Sequence, residues 1–281
     1  MGGPVYDKIK RVMADYPFFQ QHLAGQLPFD QYLATLQALE TELRQKLGAS
    51  AYAKMETIPA CSEYTTTQRV LDDLKTAKAL ASSSYDSAEF KRFRHCMQTC
   101  YDHQEYNTFI FPEEGRIAYA ISQLFSPKTL FAAGSYYGYW VAWTMPGLAK
   151  SKGRAILSDI DPSVSRLSQK NIENLGYAPY AKAICDDAEK LLRQLNSSLD
   201  MLMLDAYGRS DDPREQYRGK SIYGPLVQAG IDKLRSGGII LCHNIDKRSQ
   251  ELDLFFTVIN ASCSTQIIAD TTDGVAVYVK D

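Results

Sequence analysis

No stretch of the 281-residue chain approaches the run of about 20 apolar residues that a membrane-spanning helix needs, and the N-terminal MGGPVYDKIKRVM lacks the apolar core of a secretory signal. Neither sign of charge is in excess. The 31 Lys and Arg stand against 33 Asp and Glu, a formal net charge of -2, which excludes a general polyanion-binding surface and leaves nucleic acid a poor partner. The six cysteines, Cys61, Cys96, Cys100, Cys185, Cys242 and Cys263, form no disulfide framework in a chain too long to need one, and Cys185 and Cys242 end predicted buried strands. They read as reduced thiols of a cytoplasmic protein. Zinc-ribbon spacing is also missing: His95, Cys96, Cys100 and His103 share a helical side but read as packing residues rather than metal ligands. The class that remains is a soluble globular protein whose partner is a small molecule, with no membrane and no nucleic acid.

Two patterns divide what is present. Up to about Tyr106 the apolar period is helical: Leu33, Leu36, Leu39, Leu43 and Leu47 follow the turn signal at Leu27-Pro28, predicting a helix from Phe29 that Gly48 stops. Further helices are predicted from Thr66 to Ala81 and from Ser87 to about Tyr106. This all-helical region, residues 1–112, is expected to act as a lid or as a homodimer contact. After Pro127 the pattern becomes short apolar runs alternating with amphipathic helices: TLFAA, AILSD, AKAIC, LDMLMLD and GIILCH, the signature of a parallel sheet covered on both faces. STQIIAD and GVAVYVK are separated only by a short segment containing Asp273-Gly274, which is hairpin chemistry too short for a crossover helix. The expectation for 113–281 is an α/β, Rossmann-like domain: a mostly parallel seven-stranded sheet ending in an antiparallel hairpin.

Ligands of open α/β sheets bind beyond the carboxyl ends of the strands. The loop after the first run, Ala133-Gly134-Ser135-Tyr136-Tyr137-Gly138-Tyr139-Trp140, offers two glycines for a tight turn and close backbone approach. The second run ends at Asp159, a carboxylate suited to both hydroxyls of a ribose. The third is followed by Asp186, Asp187 and Ala188, an acid beside small backbone suited to an adenine edge. Each acid is equally a helix N-cap type, and Asp161-Pro162 looks like a helix start. Three successive strand ends fit an adenosine together, and the absence of a third glycine in the first loop argues against a dinucleotide.

The stretch from EEGRIAYAISQLFSPKTLFAAGSYYGYW through SDIDP and LDMLMLDAYGR to GGIILCHNID resembles catechol O-methyltransferase and its relatives in the class I methyltransferases, the pattern of Gly134, Tyr136, Gly138 and Tyr139 being fairly specific to that group. The resemblance implies S-adenosylmethionine as methyl donor. Asp159 would hold the ribose, Asp187 and Ala188 would border adenine, and Ser135 to Trp140 would wrap the methionine part, although Trp140 replaces a small polar residue usual at the carboxylate. The implied function is a small-molecule methyltransferase of specialised metabolism.

Three departures complicate that reading. The family's magnesium ligands map to Asp205, His243 and Asn244, and an imidazole in place of a carboxylate makes a poor magnesium site; a softer divalent ion is the alternative there, and no metal ligand is assigned. The family's lysine base maps to Gly208, followed by Arg209, which stays protonated. Ala132 stands where the first strand usually ends in an acid for the cofactor's ammonium group. Asp205, Tyr207 and His243 remain as candidate catalytic groups for methyl transfer. The alternative is azetidine-2-carboxylate synthesis, in which the cofactor's neutral amine attacks its own γ-carbon and expels methylthioadenosine, with Tyr136, Tyr137, Tyr139 and Trp140 as aromatic faces. A second alternative is a non-catalytic, cofactor-binding sensor. The polar loop from Arg209 to Lys220 reads as a lid or as a solvated surface.

Overall fold

The computed structural model describes residues 3–245 and 250–281. Its centre is one seven-stranded sheet, with β1 (Thr129–Ala133), β2 (Arg154–Asp159), β3 (Ala181–Cys185), β4 (Leu199–Leu204), β5 (Leu234–His243), β6 (Thr265–Ala269) and β7 (Val275–Val279) in the order β3-β2-β1-β4-β5-β7-β6. The first five strands run parallel. β7 lies antiparallel between β5 and β6, the arrangement a short hairpin turn permits once crossover helices stop. β1 has β2 on one side and β4 on the other, so the strand order switches between β1 and β4, the place at which open α/β sheets bind ligands.

The strands alternate with period two. Leu130, Ala132, Met201, Met203, Ile239 and Leu241 face one core, while Phe131, Ala133, Leu202, Leu204, Ile240 and Cys242 face the other. The second core is closed by the helices Ala188–Gln194, Tyr223–Gly230 and Asp253–Ser262. The first is closed by Pro112–Phe125, Pro162–Asn174, Glu63–Thr76 and Ser87–Cys100. The helices Glu63–Thr76 and Ser87–Cys100, which lie in the expected N-terminal region, thus contribute apolar residues to the core of the sheet. The separate cap is shorter: Val5, Ile9, Phe19, Tyr32, Leu36, Leu43, Tyr52 and Met55 form their own core with Phe111, and the seam between the two cores falls near residue 60.

Helix ends moved where side chains outside the helix offered better partners. The stretch after Phe29 breaks at Leu39 into Phe29–Ala38 and Glu40–Leu47, and Gly48, at φ 82°, ends it as expected. The next helix starts early, at Glu63, because the Ser62 hydroxyl accepts a bond from the Thr65 N–H. The third stops at Cys100, well before Tyr106. There the Asn171 amide pairs with both the N–H and the carbonyl of Asp102, replacing helical bonds. Cys242 is buried as its strand requires, but Cys185 is exposed on the edge strand β3, and Cys100 is exposed rather than packed. Among the described residues no helix is long and apolar enough to cross a membrane.

Candidate functional site

Two clefts open at the carboxyl ends of the strands, and Asp205, just after β4, stands near their junction. The first lies over β1, β2 and β3 and has a volume of about 90 Å³; Gly134, Asp159, Ile160, Asp187 and Ala188 line it, with Tyr207 and Tyr217 above. Gly134 has φ 70°, and a Cβ there would lie 2.1 Å from the Ala206 Cα, so only glycine lets the two loops meet. Asp159 accepts bonds from the N–H groups of Tyr136, at 2.8 Å, and Asp161, at 3.1 Å. The first of these holds Tyr136 in a left-handed conformation, φ 50°, that a tyrosine seldom adopts. Burial raises the Asp159 carboxyl above the usual range.

The other acids separate by partner. Asp161 caps the helix Pro162–Asn174 through the Ser163 N–H, at 2.7 Å, and Asp186 pairs with Lys190. Asp187 combines both readings: it caps Ala188–Gln194 through the Lys190 N–H, at 2.8 Å, and also lines the cleft. Gly138 is turned the other way, with a Cβ there meeting the Ser168 hydroxyl at 2.5 Å, so its left-handed turn serves packing. Ser135 is buried beside Ala132, Trp140 and Met203 in a small apolar recess. Of the four aromatic residues after β1, only Tyr136 is exposed; Tyr137, Tyr139 and Trp140 are buried. The Tyr101 hydroxyl donates to the Tyr137 carbonyl, the Trp140 indole N–H donates to the Glu114 carbonyl, and Tyr139 packs against Tyr101 and His103. Ile160, a large apolar side chain 66% exposed beside Asp159, was not singled out in the sequence, though an exposed isoleucine after a strand-end acid is a readable signal.

The second cleft, about 510 Å³, lies over β4 and β5 and is walled on its far side by the cap; Lys54, Thr108, Phe109, Tyr136, Asp205 and His243 are among its lining residues. A line of charges runs behind it. Lys220 is 3.1 Å from Asp205 Oδ1, which is 3.3 Å from His243 Nδ1, and His243 Nε2 is 3.1 Å from Glu114 Oε2. Glu114 is fully buried, and its carboxylate also accepts the N–H groups of Phe111 and Asp273, both at 2.8 Å. Burial works against a charged His243 ring, but Asp205 and Glu114 on its two sides outweigh it and push its pKa up to about 10. Burial likewise works against charge on Asp205, and Lys220 and the His243 imidazolium overcome it, holding that carboxyl below the usual range. Lys54 of the helix Ala49–Met55 reaches across the seam to Asp273, at 2.6 Å.

This donor set is a poor match for a divalent ion: His243 Nε2 is on Glu114, Nδ1 is on Asn244 Oδ1 beside Asp205, and the Lys220 ammonium next to Asp205 adds positive charge where a metal would sit. Among the described residues no group of three metal-ligating side chains comes together. The structure brings Asp205 and His243 into one network. Tyr207, 74% exposed, instead lines the first cleft. Glu114, Lys54, Lys220 and Asp273 escaped sequence reasoning, because each meets its partner only through the fold.

Residues 131–245 match the family model described as a methyltransferase domain. No curated protein sequence matches the chain. Among solved structures, an SAH-bound methyltransferase from Podospora anserina is 17% identical with a TM-score of 0.49, over 70% of this chain and 97% of its own. An O-methyltransferase from Bacillus cereus in complex with SAH is 17% identical with a TM-score of 0.47, over 70% and 92%. A putative O-methyltransferase from Klebsiella pneumoniae is 15% identical with a TM-score of 0.49, over 74% and 96%. Residues 131–245 are therefore similar to a methyltransferase domain, and they lie on a sheet of Rossmann-like strand order.

Proposed function

We propose that the protein is an S-adenosylmethionine-dependent methyltransferase acting on a small molecule without a metal ion. The observation that carries this reading is the first cleft: Asp159, Ile160, Asp187, Ala188 and Gly134 converge there from three strand ends, offering a ribose acceptor, an apolar face and an adenine edge. When bound, S-adenosylmethionine supplies a carbon made electrophilic by the adjoining sulfonium. Everything else falls to the chain's own groups. Gly134 and Asp205 mark the passage from the first cleft to the second, where an acceptor has room.

His243 is poorly placed as the base, since its raised pKa keeps the ring protonated, with Nε2 on the Glu114 carboxylate and Nδ1 on the Asn244 side-chain oxygen, at 3.1 Å, beside Asp205. Asp205, its carboxylate stabilised by two cations, is a weak proton acceptor that orients a nucleophile better than it deprotonates one. Such a site suits a nucleophile that needs no strong base, of which a neutral amine is the simplest.

The intramolecular reading is favoured by one observation. The recess at Ala132 is mostly apolar, the carboxylate that lines it, Asp205, is already paired with two cations, and the nearby Glu114 carboxylate is committed to Phe111, Asp273 and His243. Incubation with S-adenosylmethionine, with and without chelator, followed by mass spectrometry of the products, tests both readings. S-adenosylhomocysteine with a methylated acceptor, insensitive to chelator, is the expected result. Methylthioadenosine with a cyclic amino acid replaces methyl transfer by the intramolecular reaction, and tight binding without turnover across acceptors leaves only a sensor.

A further inference from the structure

The charged groups lining the second cleft fall into two opposed sets. On the cap side, the Lys54 ammonium forms an ion pair with Asp273, at 2.6 Å, and its side chain is still about one-third exposed. On the sheet side, Asp205 engages Lys220 and His243 through Oδ1 alone, and its second oxygen takes no part in those pairs. Phe109, Ile110 and the exposed ring of Tyr136 supply apolar wall in the same cleft. A cation, an anion and hydrocarbon faces around one space of about 510 Å³ are the complement of a small zwitterion. Each charge already has a partner, Lys54 in Asp273 and Asp205 in Lys220 and His243, so a zwitterion would add to these pairs through the exposed side of the ammonium and the second oxygen of Asp205.

We propose that this cleft recognises an α-amino-acid head group, its carboxylate on Lys54 and its nitrogen on Asp205. The proposal rests on the S-adenosylmethionine reading above. The head group binds as its zwitterion, with the ammonium on Asp205, and its nitrogen attacks only after losing a proton to solvent through the open cleft. Two sources share this chemistry: a free amino acid, or the methionyl tail of S-adenosylmethionine itself. The cap then has a defined task, since it carries the residue that reads the carboxylate.

The experiment has two arms. In one the protein receives S-adenosylmethionine alone, with decarboxylated S-adenosylmethionine in parallel; in the other it receives methyl-labelled S-adenosylmethionine with the common amino acids, and their decarboxylated amines in parallel. Cofactor binding is followed separately by calorimetry. Turnover is expected in one arm, with loss of the carboxylate lowering kcat/KM by about 10- to 100-fold, the value of a hydrogen bond to a charged group. Methylthioadenosine formed without acceptor assigns the tail as the source, and a labelled amino acid assigns the free acceptor. Lys54→Ala should erase the preference for the carboxylate. Asp273→Asn, which removes the competing acid, should strengthen it, so the two variants separate recognition from misfolding. Amines used as well as amino acids, a preference that survives Lys54→Ala, or no turnover in either arm while S-adenosylmethionine still binds would each overturn the proposal and spare the cofactor reading. Failure to bind S-adenosylmethionine at all removes both.

Discussion

The two clefts are built by different means. Over β1 to β3 the polar groups are separate acids at loop tips, each bonded to backbone N–H groups within a few residues or on the neighbouring loop, as Asp159 is to Tyr136 and Asp161. Over β4 and β5 they form a connected line from Lys220 through Asp205 and His243 to Glu114, whose last member comes from a helix 129 residues away in sequence. In the first cleft a side chain can be lost with little consequence for its neighbours. In the second, each charge is tolerable only because the next is present, so function and stability are tied together there.

The largest effect should come from breaking that line at its buried end. Glu114→Ala removes the carboxylate that balances His243 and leaves the Asp273 and Phe111 N–H groups without their acceptor, a loss of about 3 to 5 kcal/mol expected for an orphaned buried charge. Chemical denaturation measures it; a loss under about 1 kcal/mol would mean that the line is not a unit and would erase the contrast between the clefts. The same line predicts a pH dependence. His243 has its folded pKa raised from 6.5 to about 10, so its stabilising contribution is complete below about 6.5 and disappears as pH rises through 10. Glu113, pushed up to about 7 by burial and by neighbouring Glu114, acts in the same direction over a lower window: the fold loses stability as this carboxyl ionises between 4.5 and about 7. Denaturation midpoints should therefore fall from pH 7 to pH 10 in the native protein, with the His243→Gln variant showing the flatter profile.

The first cleft should answer differently. Asp159→Asn keeps the side chain's shape and one acceptor but removes the charge, and cofactor affinity should weaken by about 1 to 3 kcal/mol, read by calorimetry with S-adenosylhomocysteine. Unfolding free energy should change far less than in Glu114→Ala. Unchanged affinity would remove Asp159 from the ribose role, and an equal loss of stability would make the two clefts alike.

The same contrast explains what the sequence discloses. All seven strands are visible as apolar runs, and the hairpin at Asp273-Gly274 is visible as turn chemistry, because these signals are local and repeat with the period of the element. Gly134 and Asp159 are visible because each directly follows or ends an apolar run, and the strand end is itself the signal. Glu114 is invisible, since two acids after Pro112 are what any helix start carries, and nothing local says that this one is buried under His243. Lys54 reads as a solvated charge until the cap is laid against the sheet. The helix predicted to reach Tyr106 stops at Cys100 because Asn171, on a different helix, takes the backbone of Asp102. Helical period is the same in the cap and in the helices Glu63–Thr76 and Ser87–Cys100, and only the cores they pack into distinguish them.

The smallest effect sharpens the comparison from the side of access. The loop that follows β4 folds over the first cleft, fastened by the Gly208–Gly219 bridge and by the Tyr217 hydroxyl, which donates to Glu189 at 2.6 Å while the Arg214 guanidinium lies 3.8 Å from the centre of its ring. The enclosed space of about 90 Å³ is well below the 300 Å³ or more typical of small-molecule sites, so a nucleoside needs the loop to lift. Tyr217→Phe removes one hydrogen bond between partly exposed groups, about 0.5 to 1.5 kcal/mol. If the loop gates the cleft, stopped-flow release of S-adenosylhomocysteine should accelerate by up to about tenfold. The carboxylate preference in the second cleft should not change, because Tyr217 touches neither Asp205 nor Lys54 in the network described. An unchanged release rate would place the gate elsewhere, and a shift in acceptor preference would show that the two clefts are coupled through this loop as well as through Asp205.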